Sequence, residues 1–257
     1  MPFIKVNNQR LHYSAHRQDP RTPPTPLVLV HGAGGNIYHW PPGLRRLPEH
    51  DVYALDLPGH GKSEGPGRDS IEDYVQVVHD WAQAMNLPPF VIAGHSMGGA
   101  IAQTFAWQHP EMLKGMVLVA TGAKLRVHPK ILDGIRSDLE GVGKLLVDWA
   151  YGPRATPGQK RQFLKHFTAV DTEVMYGDWA ACNVFDIRDR LPHISVPTLV
   201  VAGSMDMLTP EKYGRYMAEN LPNADFALIP GAGHMLTQEQ PQLLINAIRG
   251  FLDRLSA

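Results

Sequence analysis

Residues 91–100 constrain the fold more than any other part of the chain. An apolar run ends in Gly-His-Ser-Met-Gly at residues 94–98, and a helical pattern of small residues follows. This order predicts a buried strand, a very tight turn with Ser96 at its apex, and a helix. Gly94 and Gly98 are required because so tight a turn brings these two positions together. The serine hydroxyl is therefore expected to be exposed beside free N–H groups of the helix.

Ser96 allows two interpretations, a helix cap or a nucleophile. Serine is a common residue at a helix N-terminus. We favour the nucleophile, because a β-rich apolar run precedes Ser96 and an Ala- and Gly-rich pattern follows it. The anion that forms when a serine attacks needs hydrogen-bond donors already in place, and a helix N-terminus supplies them.

Composition indicates a globular protein and argues against several partners. The 257 residues are 44% hydrophobic and 19% charged, and the net charge of −1 with no basic block argues against nucleic-acid binding. Cys182 is the single cysteine, so no internal disulfide can form. No apolar run reaches the roughly 18 residues of a membrane-spanning helix, and the first residues lack the apolar centre of a signal peptide. We expect a cytoplasmic protein without a membrane span, and no pattern indicates its oligomeric state.

Apolar runs and helical patterns alternate along most of the chain. The alternation predicts an α/β fold with a mostly parallel sheet and helices on both faces. A hairpin at residues 2–14 and a Pro-rich connector at residues 19–26 come first. The predicted strands cover residues 3–6, 10–14, 27–30, 51–55, 90–93, 115–120, 199–202 and 226–229. The predicted helices cover residues 37–47, 70–85, 97–107, 210–220 and 240–255.

Residues 122–190 interrupt this alternation. We interpret them as a helical insertion, a lid, over the ends of the strands. The predicted organisation is a core of residues 1–121 and 191–257 that carries this lid. The helical patterns within it cover residues 130–150, 158–167 and 172–182.

A serine nucleophile needs an adjacent base, which a third group must orient. Among 13 histidines, His234 is the best candidate, because it lies in a Gly-rich loop directly after a predicted strand. Reacting groups gather at the ends of parallel strands. Seven other histidines are expected to face solvent: His12, His16, His50, His109, His128, His166 and His193.

Asp206 is the preferred orienting acid. It follows a predicted buried strand and precedes a helix, and Thr209 is available to cap that helix in its place. Glu211 and Asp225 are the competing carboxylates. Glu211 lies in the first helical turn, where its charge favours the helix dipole, and Asp225 begins a predicted strand.

The chain order Ser96, Asp206, His234 resembles that of the α/β-hydrolase family. The resemblance covers nearly the whole chain and implies an eight-stranded sheet whose second strand is antiparallel, with a lid after the sixth strand. Its motifs are His-Gly-Ala-Gly-Gly at residues 31–35, Asp-x-x-Gly-x-Gly-x-Ser at residues 56–63, the turn at residues 94–98, Gly203-x-x-Asp206 and Gly233-His234.

The resemblance also implies a mechanism. His234 takes the proton of Ser96, which attacks an acyl carbon, and Asp206 orients His234. The backbone N–H groups of Ala33 and Met97 are expected to form the oxyanion hole. No metal or cofactor is expected, and the histidines and aspartate near residues 31–60 lack metal-ligand spacing.

Departures from other members of the family favour an ester, lactone or thioester substrate. Dehalogenases and epoxide hydrolases of this family carry aspartate where this chain has Ser96. Relatives that cleave carbon–carbon bonds commonly carry tryptophan where this chain has Met235, and perhydrolases often carry an aromatic residue at the position of Ala33. The glycine-rich and serine motifs resemble those of esterases and monoacylglycerol lipases.

The substrate is expected to be a small to medium apolar ester in a tolerant pocket. No basic cluster marks the lid sequence, which argues against a strongly anionic acyl carrier. An acyltransferase and a slow-turnover ligand receptor remain alternatives. The expected pocket residues are Trp149, Trp179, Met207, Leu208 and Met235.

Overall fold

The computed structural model describes residues 2–18 and 25–256. Most of the predicted Pro-rich connector, residues 19–24, lies outside the described residues. Within the described part of the chain, one eight-stranded sheet has the order β1-β2-β4-β3-β5-β6-β7-β8. Its strands are β1 (Phe3–Val6), β2 (Gln9–His16), β3 (Leu27–Val30), β4 (Val52–Leu55), β5 (Phe90–His95), β6 (Leu113–Val119), β7 (Thr198–Gly203) and β8 (Ala224–Ile229).

The sheet has the mixed topology that the family resemblance implies. The β1–β2 hairpin turns at Asn7 and Asn8, which both have positive φ (47° and 67°). Asparagine tolerates this conformation better than most residues. β2 also pairs antiparallel with β4, and every other strand pair of the sheet, as far as the chain is described, is parallel. The predicted antiparallel second strand is therefore confirmed.

Helices cover both faces of the sheet, as predicted. Short 3₁₀ helices lie at Ile37–His39, Pro110–Met112 and Arg188–His193. The α-helices of the described residues are α1 (Pro42–Arg45), α2 (Ile71–Ala84), α3 (Met97–Gln108), α4 (Pro129–Ile135), α5 (Leu139–Ala150), α6 (Pro157–Phe167), α7 (Thr172–Val184), α8 (Glu211–Asn220), α9 (Leu236–Glu239) and α10 (Pro241–Ser256).

Two predicted helices differ from the structure. The continuous helix expected at residues 37–47 is wrong, because Pro41 is extended (ψ 145°) and separates a 3₁₀ turn from the four-residue α1. A residue before proline is disfavoured in the helical region, and Pro42 follows Pro41. The pattern at residues 130–150 forms two helices, because the side chain of Asp138 caps α5 by accepting from the N–H of Gly141.

Each face of the sheet has its own hydrophobic core. In β3, Val28 and Val30 belong to the core beneath α2, α3 and the helices of residues 122–190. Leu27 and Leu29 belong to the core beneath α1 and α10. Strand side chains alternate between faces, so an all-apolar strand fits a sheet that is covered on both sides.

The helices of the described residues do not meet the requirements of a membrane span. Among residues 2–18 and 25–256, no helix combines the length and the apolar character that a membrane span requires.

Candidate active site

Ser96 occupies the apex of the turn between β5 and α3. Its backbone has φ 54° and ψ −118°, a conformation that non-glycine residues rarely adopt. Two hydrogen bonds hold it there: the N–H of Ser96 donates to the carbonyl of Val119 (3.0 Å), and the hydroxyl of Thr121 donates to the carbonyl of Ser96 (2.8 Å). Strain of this kind persists only where the surrounding structure enforces it.

The glycines of the turn have the steric role that the sequence predicts. A Cβ atom on Gly94 would overlap the carbonyl of Gly98, and one on Gly98 would overlap the carbonyl of Val30 at the end of β3. The turn therefore packs against itself and against the neighbouring strand with no room for side chains at these two positions.

Asp206 and His234 form a buried pair. Nδ1 of His234 is 2.9 Å from Oδ2 of Asp206. The hydroxyl of Thr209 donates to the same oxygen, and the N–H groups of Leu208 and Thr209 donate to Oδ1, each at 2.8 Å. Burial opposes ionisation of Asp206, but the charge and hydrogen bond of His234 and the donors of Thr209 outweigh it and lower the pKa of the carboxyl.

The two competing carboxylates lie in ion pairs elsewhere. Glu211 accepts from Arg215 at 2.6 Å within α8, and Asp225 accepts from Arg254 at 2.6 Å on the surface. The capping role expected of Thr209 is wrong, because α8 begins after Pro210 without a side-chain cap. The hydroxyl of Thr209 donates to the carboxylate of Asp206 instead.

Ser96 and His234 face the same cavity, of about 450 Å³. A smaller cavity of about 40 Å³ has Ala33, Ser96, His234 and Met235 in its wall. The first cavity is lined by Trp149, Trp179, Met207 and Leu208. All five predicted pocket residues thus border one of the two spaces, and their contact with substrate stays a prediction. The buried indole N–H of Trp179 has no acceptor among the described residues.

The sequence predicts that two backbone N–H groups form the oxyanion hole. Within the described residues, the N–H groups of Ala33 and Met97 have no hydrogen-bond acceptor. Met97 is the first residue of α3, where helical N–H groups lack intrahelical partners. The loop that carries Ala33 lies directly against the turn, because a Cβ atom on Gly32 would be 3.0 Å from Cβ of Ser96.

A buried carboxylate of α7 binds this loop. Asp178 is fully buried and accepts from the N–H of Gly34 (2.8 Å) and the hydroxyl of Tyr74 (2.6 Å), and it lies 2.8 Å from Nε2 of His60. Burial opposes the charge of His60, but Asp178 outweighs it and raises the pKa of the imidazole. Asp178, a residue of the 122–190 segment, therefore contacts the loop after β3, the loop after β4, and α2.

A second buried carboxylate, Asp56, corrects the expectation for His12. Nδ1 of His12 lies 2.6 Å from Oδ2 of Asp56, and both side chains are buried. The N–H groups of Ile37 (2.8 Å) and Lys62 (3.0 Å) also donate to Asp56. His50 is buried as well, so the expectation that these two histidines face solvent is wrong.

The ring of His95 contacts the loop of the candidate base. His95 Nε2 lies 2.9 Å from the carbonyl of His234 and donates to it. Burial, reinforced by repulsion from His234, lowers the pKa of His95 to about 3. His95 is therefore neutral in the folded protein. The sequence gives no sign of this bond to the opposite loop.

The chain is similar to known hydrolases along nearly its whole length. Residues 25–241 match the family model for the α/β-hydrolase fold. A solved structure of a thermophilic esterase has 30% identity and a TM-score of 0.87, covering 99% of this chain and 97% of that one. Pimeloyl-(acyl-carrier protein) methyl ester esterase of Yersinia enterocolitica is 27% identical over 88% of this chain and 92% of its own. RutD of Azorhizobium caulinodans, named as a carbamate hydrolase, is 27% identical over 98% of both chains. The chain therefore belongs to the α/β-hydrolase family, and it is a hydrolase by that membership.

Proposed function

We propose that this hydrolase cleaves carboxylic esters through an acyl-enzyme intermediate formed on Ser96. The observation that carries the proposal is the buried Asp206–His234 pair, which faces the same cavity as the strained Ser96. A base oriented by a carboxylate, at the same cavity as a serine, is the arrangement that nucleophilic acyl transfer needs.

Each group has a distinct role in the proposed reaction. His234 donates its Nδ1 proton to Asp206, so Nε2 keeps a lone pair and accepts the hydroxyl proton of Ser96. The serine oxygen bonds to the acyl carbon, and the resulting oxyanion accepts from the N–H groups of Ala33 and Met97. His234 then protonates the departing alcohol. Water, deprotonated by the same imidazole, attacks the acyl-enzyme and releases the acid and free Ser96.

The names of the relatives support an ester substrate. Two of the similar proteins are named as esterases, and the third as a carbamate hydrolase, which also acts at an acyl carbon. A lactone, a thioester or a monoacylglycerol would react by the same steps, and an acyltransferase would differ only in the second acceptor. A slow-turnover receptor would bind an ester without steady-state release of acid.

We also propose that residues 122–190 act as the lid of this site. The proposal is supported by Trp149 of α5 and Trp179 of α7, which form part of the wall of the cavity that Ser96 faces. Substrate choice should depend on these helices, since the proposed reacting residues lie outside them. A cytoplasmic location stays a prediction from the sequence.

The direct test is turnover of p-nitrophenyl butyrate by Ser96→Ala, with covalent labelling by a fluorophosphonate. We expect the variant to lose both steady-state turnover and the label, while the wild type is labelled on Ser96. Ser137→Ala is the matched control, because Ser137 is exposed and only bonds a carbonyl within its own helical segment. Turnover by Ser96→Ala at the wild-type rate would refute the proposal. Adding methanol as a competing acceptor measures how the acyl group divides between water and an alcohol.

A further inference from the structure

A second cavity of about 450 Å³ carries four cationic side chains. Arg126 and Lys124 precede α4, and the other two come from distant segments, Arg188 and Lys212. Among the described residues, no carboxylate lines this cavity. The expectation of no basic cluster near the lid is therefore wrong for the folded chain. The full lining is Ala123, Lys124, Arg126, Arg188, Lys212, Tyr213 and Tyr216.

Two of the four cations are already paired, and two are available. Asp186 accepts from Lys124 at 2.9 Å and from Arg188 at 2.8 and 2.7 Å. Within the described residues, Arg126 and Lys212 have no carboxylate partner. Both side chains are exposed, so neither bears the cost of a buried unpaired charge. Asp189 also acts on Arg188. Four cations against these two carboxylates leave a net positive charge beside the cavity.

The cationic cavity adjoins the cavity that Ser96 faces. Arg126, Lys212 and Tyr213 line both of them. The wall of the cavity that Ser96 faces also carries apolar side chains, among them Leu125, Ile131, Trp149 and Leu208. A ligand that reaches from Ser96 to Arg126 and Lys212 therefore stays within one cavity and has apolar side chains to contact there.

We infer that the site takes esters or thioesters whose far end carries an anionic group, a carboxylate or a phosphate, bound by Arg126 and Lys212. This inference rests on the proposed function. The planar guanidinium of Arg126 suits two-point contact with either anion, and Lys212 adds a flexible charge. Cavities of this size suit a small molecule. The anion is therefore part of the substrate and does not belong to a docked protein.

The carboxylate arm compares mono-p-nitrophenyl adipate with p-nitrophenyl hexanoate, which differ only in the terminal group, a carboxylate in place of a methyl. We expect kcat/KM for the anionic ester to fall about tenfold in Arg126→Gln and in Lys212→Gln, as one charge-assisted hydrogen bond is lost. The neutral ester should change less than about twofold. Arg249→Gln and Lys114→Gln are matched controls, since both side chains are exposed and border neither cavity.

The phosphate arm compares hexanoyl 4′-phosphopantetheine with hexanoyl pantetheine in the same variants. A selective loss in either arm supports the inference and identifies the anion. Equal losses for charged and neutral members, or no loss in either arm, would overturn it. It would also be overturned if only acyl chains attached to an acidic carrier protein responded, since the cations would then form a protein-docking surface.

Binding separates this inference from the proposed chemistry. Calorimetry of monomethyl adipate and methyl hexanoate uses Ser96→Ala, alone and combined with Arg126→Gln. We expect the added substitution to weaken binding of the anionic ester alone. If wild-type turnover survives in Ser96→Ala while this binding difference persists, the proposed function fails and the anion site stands. If the protein hydrolyses neutral esters but Arg126→Gln does not weaken binding of the anionic ester, the proposed function stands and the anion site is refuted.

Discussion

Removing the carboxylate of Asp178 should destabilise the fold severely, because three donors converge on it inside the protein. In Asp178→Ala, the N–H of Gly34, the hydroxyl of Tyr74 and the ring of His60 lose their acceptor. Each unsatisfied buried group costs about 1–3 kcal/mol. Removing one partner of a buried charged pair costs about 3–5 kcal/mol in total. We expect the free energy of unfolding to fall by about 3–5 kcal/mol, the cost of breaking a buried charged pair. The separate costs of the three donors do not add in full, because the structure relaxes partly around them.

Two milder substitutions test the same network. Asp178→Asn keeps one acceptor oxygen for Gly34 and removes the charge, so we expect a loss of about 1–3 kcal/mol. Tyr74→Phe removes one donor to Asp178 and also leaves the N–H of Arg68 without the acceptor that it has at 3.0 Å. In the Asp178→Ala background, Tyr74→Phe should cost less than it does alone, because the hydrogen bond that it removes is already absent.

The deficit of Asp178→Ala should also depend on pH. The pKa of His60 is raised in the folded protein, so the pair contributes fully below the unfolded pKa of about 6.5. That contribution is lost as the pH rises through the folded pKa. The difference in unfolding free energy between wild type and Asp178→Ala should therefore be larger at about pH 6 than at about pH 9.

Urea unfolding followed by tryptophan fluorescence at both pH values measures these differences. Asp148→Ala is the matched control, because Asp148 is an exposed aspartate of α5, and it should change stability by less than about 0.5 kcal/mol. A loss below about 1 kcal/mol in Asp178→Ala, with an unchanged denaturant slope, would refute the argument. The three donors would then have other acceptors in solution.

Three further predictions concern the reaction and the acid limit of the fold. Asp206→Asn should lower kcat for p-nitrophenyl butyrate by up to about 10⁴, whereas Glu211→Gln should not; the reverse result would exchange their roles. Trp149→Ala should change the ratio of kcat/KM between butyrate and octanoate esters by a few-fold per carbon, since a methylene is worth about 0.8 kcal/mol; an unchanged ratio with a lower melting temperature means a packing role alone. In the unfolded chain His95 takes up a proton below about pH 6.5, whereas in the folded protein it stays neutral down to about pH 3. The free energy of unfolding therefore decreases as the pH is lowered through this range. His95→Gln should make this fall shallower in urea unfolding between about pH 6 and pH 4, and an unchanged slope would contradict it.

The elements that the sequence predicts well are those governed by local rules. Gly94 and Gly98 are required by sterics within a five-residue turn. In the structure, a Cβ atom at either position would overlap backbone atoms. Asp206 and His234 were chosen because each follows a predicted strand, and parallel topology brings such loops to one edge of the sheet. The helix predicted at residues 37–47 is wrong for an equally local reason, because Pro41 and Pro42 interrupt it.

The features that the sequence does not reveal are pairings between distant residues. His60 and Asp178 are 118 positions apart, and no periodicity links them. Lys212 joins Arg126 at one cavity only because α8 packs beside the segment that enters α4. The partners of Thr209 and His95 are not visible in the sequence either. The hydroxyl of Thr209 bonds Asp206, three positions away, and the ring of His95 bonds the carbonyl of His234, 139 positions away.

The position of Asp178 changes how the inserted helices relate to the reacting centre. A segment that merely covered a cavity would contact the core through apolar packing, and α7 does so through Met175 and Ala181. Asp178 adds a hydrogen bond from α7 to Gly34, the residue next to the proposed oxyanion donor Ala33. A polar bond of this kind is directional, whereas apolar contact is not. The inserted segment therefore fixes the backbone orientation of the loop on which acyl transfer is proposed to depend, in addition to bounding the pocket.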